Sequence, residues 1–89
     1  MSDRTRLCEV TVPFEPGEIP SGLFASIEVI WERAEPGMVV LCSMVPAPAD
    51  GHLLSGAIHQ PGQVRVILLN TTPVPATVAE GFLRVILWD

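Results

Sequence analysis

The sequence predicts one small all-β domain over residues 1–89, folded as an antiparallel jelly roll or β-sandwich of about seven short strands. Proline and glycine recur at short intervals, and they leave segments of about 6–9 residues, which is the length of strands. These segments are rich in β-branched residues, which favour strands. Short strands at regular spacing with turn signals between them are typical of sandwiches, jelly rolls and barrels.

The predicted strands lie near residues 6–12, 23–31, 38–45, 53–59, 63–70, 75–79 and 82–88. The first two alternate between apolar and polar residues, as expected when one face of a strand is covered. One face of the first strand carries Cys8, Val10, Val12 and Phe14. One face of the second carries Leu23, Ala25, Ile27, Val29 and Trp31.

Three segments, Met38–Cys42, Val66–Leu69 and Val85–Trp88, are apolar without alternation. A strand that is apolar on both faces needs cover on both, so one face can meet the core and the other a neighbouring subunit. Hydrophobic residues make up 48% of the 89 residues and charged residues only 17%, and so short a chain has a thin core. The sequence therefore predicts a homo-oligomer.

Two connections stand out between the strands. Glu32–Gly37 is charged and ends in Pro-Gly, which predicts an exposed turn. Val45–Asp50 is the longest loop, and the Asp50-Gly51 pair that ends it is a hairpin signal.

Charge and hydropathy argue against nucleic acid and membrane as partners. The net charge is −5, and the five basic residues are all arginines scattered along the chain, without the basic cluster that binds phosphates. The longest apolar run, Met38–Cys42, is far shorter than the roughly 20 residues that span a bilayer. Because no apolar segment of about 7–15 residues follows the charged start, we expect a cytoplasmic protein, or one located in the virion or the host cytoplasm if it is viral.

No metal site or cofactor is predicted. Cys8 and Cys42 lie among aliphatic neighbours, and in the cytoplasm free buried thiols are favoured over a disulfide. His52 and His59 do not have the spacing of common zinc sites with each other or with the cysteines.

No catalytic residue is predicted either. Most acidic residues fall in turns or on solvent-facing strand positions, and common phosphate-binding and hydrolase motifs are absent. Asp50 and His52, on either side of a glycine, form the one polar cluster near an apolar segment, and a turn is the simpler interpretation.

Aromatic residues at strand ends are candidates for core lids or for interface anchors. The predicted interface consists of strand-end residues and of loop residues near Val45–His52: Trp31, Phe82, Trp88, Pro48, Asp50 and His52. For Trp88 we favour the interface, because too little chain follows it to cover it.

The second half of the chain resembles the trimeric dUTPase family. The segment from Gly56 to Asn70 is similar to the substrate hairpin of that family, G-V-I-D-x-x-Y-x-G-E-I-x-V-x-L-x-N, and Val74–Gly81 with the following strand is similar to E-P-x-x-V-x-x-G-D-R-I-A-Q-L. Upstream, Pro13–Pro20 and Glu35-Pro36-Gly37 are placed like the I-P-P-G and P-x-G elements.

The resemblance implies a jelly-roll fold and a three-fold assembly, but it implies that dUTP hydrolysis is lost. His59 stands where the family has its catalytic Asp, the uracil-stacking Tyr is missing, and Gly81-Phe82-Leu83-Arg84 lacks the family's Asp. No Arg occurs in Leu41–Met44, where the phosphate-binding motif would fall. Without these groups the reaction has neither a base nor a metal.

The function predicted from the sequence is a non-catalytic structural or protein-interaction module that assembles with itself, a trimer being favoured. Another protein is a further candidate partner, and a viral or phage accessory or assembly protein is the role that the small size and the resemblance suggest. The alternative is a small-ligand, nucleotide-like binding protein with a pocket between subunits near Gly56, Ile58, His59 and Asn70.

Overall fold

The computed structural model describes residues 7–48 and 50–88, and these residues form strands, turns and loops without a helix. The strands are β1 (Leu7–Phe14), β2 (Gly17–Ile19), β3 (Phe24–Ile30), β4 (Val39–Val45), β5 (His52–Gln60), β6 (Gln63–Asn70), β7 (Ala76–Val78) and β8 (Gly81–Trp88). Every strand pairing is antiparallel. The prediction of an antiparallel all-β chain is confirmed.

Two three-stranded sheets form the two layers of a sandwich. Sheet I has the order β1-β8-β4 and sheet II the order β3-β6-β5. The two central strands supply most of the fully buried core, since alternate residues of each strand point into the sandwich. From β8 and β6 these are Leu83, Val85, Leu87, Val64, Val66 and Leu68.

A short ribbon of β2 and β7 joins the two sheets. Its register continues that of β1 and β8 without an inserted residue, because Phe14 lies opposite Gly81 and Gly17 lies opposite Val78. Since β2 leads into β3 and β6 leads into β7, the ribbon carries the chain from one layer to the other.

Each of the seven predicted strands corresponds to a strand of the structure, but the described residues form eight. The unpredicted strand is β2, whose three residues lie between Pro16 and Pro20 and carry no readable alternation. The predicted alternation of β1 is confirmed, because Cys8, Val10 and Val12 are half-buried while Glu9 is exposed.

The predicted exposed turn at 32–37 is wrong at its centre, where Ala34 is fully buried. The amide of Trp31 donates to the carbonyl of Gly62, and the amide of Gly62 donates to the carbonyl of Ala34. These long-range hydrogen bonds hold the turn against the β5–β6 hairpin. Leu23 also departs from the prediction, because it precedes β3 and is 55% exposed.

Asp50-Gly51 does not close a hairpin, because β4 belongs to sheet I and β5 to sheet II. Gly51 has a φ of +84°, and a Cβ there would lie 2.5 Å from the Thr72 side chain. Both the amide and the hydroxyl of Thr71 donate to the Gly51 carbonyl, at 2.8 and 2.6 Å. The glycine is thus required by a crossover between the layers.

Candidate functional site

The outward side of sheet I, called face I below, is largely apolar. Five side chains on it are between 42% and 66% exposed: Val39, Leu41 and Val45 of β4, and Phe82 and Trp88 of β8. The strand register brings them together, because Val39 lies opposite Trp88 and Val45 opposite Phe82. Ile86, opposite Leu41, connects the two ends of the patch.

One polar row crosses face I. Arg84 of the central strand lies between Thr11 of β1 and Ser43 of β4. The Nε of Arg84 lies 2.8 Å from the Glu9 carboxylate, and both side chains are about half exposed. The pair of Arg84 with Glu9 therefore interrupts the apolar surface that the described residues of face I form.

The outward side of sheet II, called face II below, has a similar arrangement. At one end Phe24 and Leu53, 57% and 59% exposed, flank the half-buried Leu69. Towards the other end Arg65 donates from Nε and Nη2 to the same oxygen of Glu28, at 3.1 and 2.7 Å. Each face thus combines an apolar area with one arginine–glutamate pair.

Such faces differ from the usual surface of a small antiparallel sandwich. Antiparallel sheets with one wet face place polar residues outward, and single exposed apolar residues need no explanation. Here the apolar residues are contiguous along neighbouring strands, and contiguous apolar patches mark interaction sites. Faces I and II are therefore the candidate interaction surfaces.

The residues predicted as an interface are spread over three places. Phe82 and Trp88 lie on face I, as an interface requires. Trp31 is half-buried and packs against the core, which agrees with the core-lid interpretation. Pro48 and His52 line a depression of about 170 Å³ against β7, and Asp50 is exposed in the nearby loop.

The residues that make the patches continuous are not among the six residues predicted as an interface: Val39, Leu41 and Val45 on face I, and Phe24 and Leu53 on face II. A signal for β4 was present, because its lack of alternation predicted an exposed apolar side. The register between strands, which decides which of these residues are neighbours, was not readable from the sequence.

The predicted ligand residues lie on two sides of β5. Gly56 and Ile58 are half-buried towards the core side, and a Cβ on Gly56 would lie 2.7 Å from Val40 of the other sheet. His59 is exposed on the face II side, between two adjoining depressions of about 240 and 250 Å³ that both include Arg65. Small-molecule pockets are about 300–1,000 Å³ and more enclosed, so these depressions are shallow for a ligand site.

Asn70 lies apart from this region and is completely buried. Its amide nitrogen donates to the carbonyls of Ile19 and Val74 at 2.8 and 3.0 Å. Its side-chain oxygen accepts from the amide and the hydroxyl of Thr72, at 2.9 and 2.6 Å. The hydrogen bond from the Thr72 amide to the Asn70 side-chain oxygen forms an Asx turn. With all its polar atoms bonded within the chain, Asn70 fixes the connection between β6 and β7.

The two cysteines are free, as predicted. Both are half-buried, on the core side of the two edge strands of sheet I. Burial raises the pKa of the Cys42 thiol, because desolvation disfavours the thiolate. This burial agrees with a packing role for Cys42.

No protein-family model matches the chain, and neither the curated proteins nor the solved structures include a significant match. Across residues 7–48 and 50–88, no helix has the length and apolar character needed to cross a membrane.

Proposed function

We propose that the protein is a non-catalytic structural or protein-interaction module that associates with itself through the outward faces of its sheets. The observation that carries this proposal is face I, where Val39, Leu41, Val45, Phe82 and Trp88 form one exposed apolar surface. These side chains do not serve the core of their own chain.

Covering face I is expected to contribute a moderate favourable free energy to association. Full burial of an exposed Val, Leu or Phe side chain stabilises by about 1.5–3 kcal/mol. Five side chains that are already about half covered therefore supply roughly 4–7 kcal/mol per subunit. Association itself costs about 4–15 kcal/mol, so two such faces together are of the order needed, and the assembly is expected to depend on concentration.

Strand pairing supports the finer assignment of the fold as a jelly roll, which we also propose. β1 pairs with β8, β2 with β7 and β3 with β6, so the pairs are nested along the chain. This nesting is expected when one long antiparallel ribbon is rolled into two layers. The proposal also rests on the resemblance of the segment Gly56–Asn70, which lies in β5 and β6, to the substrate hairpin of trimeric dUTPases. The trimeric state and the viral or phage accessory role are proposals that depend on this resemblance.

Sedimentation velocity over a dilution series tests the self-association. We expect a species larger than the monomer that dissociates on dilution. A double variant of face I, Val45→Thr with Phe82→Thr, is expected to shift the distribution towards monomer. The matched variant of face II, Phe24→Thr with Leu53→Thr, removes side chains of similar size and exposure and shows whether face II contributes.

A wild-type protein that stays monomeric up to high micromolar concentration would rule out the proposed assembly. Equal, complete dissociation by both double variants would show that both faces are needed. Assembly that is unchanged by either variant would place the contact elsewhere and remove face I as its basis.

A second candidate is the binding of a nucleotide-like ligand at the depressions around His59 and Arg65. The observation in its favour is that His59 and the cationic Arg65 line both of the adjoining depressions on face II. Thermal-shift measurements with nucleotides and cyclic nucleotides test it. We expect a stabilisation that Arg65→Gln removes and Arg84→Gln, on the opposite sheet, retains. No shift with millimolar ligand would remove this candidate.

A further inference from the structure

Among residues 7–48 and 50–88, the two three-stranded sheets have four edge strands, β1 and β4 in sheet I and β3 and β5 in sheet II. The outer edge of such a strand presents backbone N–H and C=O groups that are free to pair with another strand. Soluble proteins protect these edges with charged residues, prolines, bulges or covering segments. The four edges of this protein can be compared by these features.

Three of the edges have such protection. β1 carries Glu9 on its outward side and Pro13 near its end. β3 carries Glu28. β5 has a register irregularity between Ala57 and Gln60, which interrupts its regular pairing.

β4 differs from these three edges. Its sequence from Val39 to Val45 contains no charged residue and no proline, and it pairs with β8 in an unbroken register over all seven residues. Within the described residues, β8 is the only strand hydrogen-bonded to β4. Its outward residues Val39, Leu41 and Val45 are exposed. β4 is therefore an apolar edge without a charge, a proline or a bulge of its own.

We propose that β4 pairs with β4 of a second copy of the chain, in antiparallel orientation, and so joins the two copies of sheet I into one six-stranded sheet. This inference rests on the proposed function, because it names the contact through which the chain self-associates. A second copy fits because self-pairing of β4 brings no like charges together. It also makes the apolar parts of face I continuous across the two copies.

The alternation of the strand limits the possible registers. Residues directly opposite each other in an antiparallel pair point to the same face, so outward residues must oppose outward residues. The register with complete overlap places Cys42 opposite Cys42 of the second copy on a two-fold axis. Leu41 then lies opposite Ser43, and Val39 opposite Val45.

Edge pairing of this kind is isologous and therefore closed. It produces a dimer, or an assembly with an even number of chains, and this differs from the three-fold assembly that the dUTPase resemblance implies. The molar mass from sedimentation equilibrium separates the two. A dimer mass supports β4 pairing, whereas a trimer mass contradicts it and still supports self-association.

Hydrogen exchange read by NMR tests the contact directly on the unmodified protein. In β4, the amides that point away from β8 are expected to exchange more slowly as the protein concentration rises. The corresponding outer amides of β1 are the matched control, since β1 is the other edge of the same sheet, and they are expected to be unaffected. Equal protection of both edges, or of neither, would contradict the inference.

Disulfide trapping tests the register. Cysteines directly opposite each other in an antiparallel pair have Cβ atoms about 4.5–5.5 Å apart, close to the distance that a disulfide spans. With a copper–phenanthroline oxidant, Cys8→Ser is expected to give a covalent dimer through Cys42. Cys42→Ser, which retains the equally half-buried Cys8 on β1, is expected to give none.

The outcomes separate this inference from the proposed function. A monomeric wild-type protein overturns both. An oligomer without protection of β4 and without a Cys42 crosslink overturns the edge pairing alone and leaves assembly through faces I and II. An oligomer with both signals supports the pairing of β4 with a second copy.

Discussion

The buried amide of Asn70 gives the sharpest prediction for the fold, through the substitution Asn70→Ala. The side chain makes four hydrogen bonds, two to the carbonyls of Ile19 and Val74 and two from Thr72. Alanine removes all four. The Val74 carbonyl and the Thr72 hydroxyl remain within 2.8 Å of each other, whereas the Ile19 carbonyl and the Thr72 amide lose the partner that Asn70 supplies. The backbone hydrogen bonds of residue 70 with Gly22 and Leu23 do not involve the side chain.

Each intramolecular hydrogen bond contributes about 0.5–1.5 kcal/mol net, and a buried group left without a partner costs about 1–3 kcal/mol. We therefore expect Asn70→Ala to lower the free energy of unfolding by about 3–5 kcal/mol. This is a large part of the 5–15 kcal/mol typical of a domain. The variant should unfold at much lower urea concentration, or fail to fold at all in water.

Urea unfolding followed by tryptophan fluorescence measures this difference, at one protein concentration so that any assembly contributes equally. Thr72→Val removes one hydroxyl of the same network, and about 1 kcal/mol is expected. Gln60→Ala is the matched control for an exposed amide, because the bond from Gln60 to Gln63 is on the surface. A loss below about 1 kcal/mol for Asn70→Ala would refute the structural role assigned to this residue.

Three further perturbations have expected outcomes. Gly81→Ala should be strongly destabilising in urea unfolding, because the added Cβ would collide with the backbone carbonyl oxygen of Val45, which cannot move without shifting β4. Glu28→Gln should change the free energy of unfolding by at most about 1 kcal/mol, because its pair with Arg65 is exposed; a larger loss would contradict this. Burial raises the pKa of Cys42, so wild-type stability should fall as pH rises above about 9, where the unfolded thiol ionises first. The free energy of unfolding of Cys42→Ala should fall less over the same pH range. A pH profile identical to that of the wild type would contradict ionisation of Cys42 as the cause.

Much of the fold was readable because its main strands carry local signals. β1 and β3 alternate, and proline or glycine bounds most of the segments, so that seven of the eight strands could be predicted. β2 escaped because its pairing with β7 is imposed by the long-range register of β1 and β8 rather than by its own three residues. Ala34 was misread for a similar reason, since hydrogen bonds to residues distant in the sequence bury it.

The candidate site was only partly readable. Non-alternating strands predicted apolar outward sides, and the exposed residues of β4 agree with this expectation. The sequence could not show which side chains are neighbours, because β4 and β8 lie far apart in the chain and become adjacent through the topology. The role of Asn70 could not be read from the sequence either, because a polar residue at the end of a strand looks the same whether it binds a ligand or stabilises the fold.

The outward residues of β4 bear on contacts with other chains, whereas the core residues bear only on the folding of the single chain. Positions on the outer side of an edge strand do not touch the core, so polar residues there are compatible with the fold, and β1 and β3 use Glu9 and Glu28 in this way. Within β4 itself, Ser43 occupies such a position. Folding of the single chain therefore does not explain why Val39, Leu41 and Val45 are apolar. Their exposure in an isolated chain is unfavourable for solubility, and contact with a second surface is the condition under which it becomes favourable. In the proposed assembly, pairing of the β4 edge extends sheet I but leaves its outward side uncovered, so the edge and the apolar patch call for two contacts, one along the strand and one through face I.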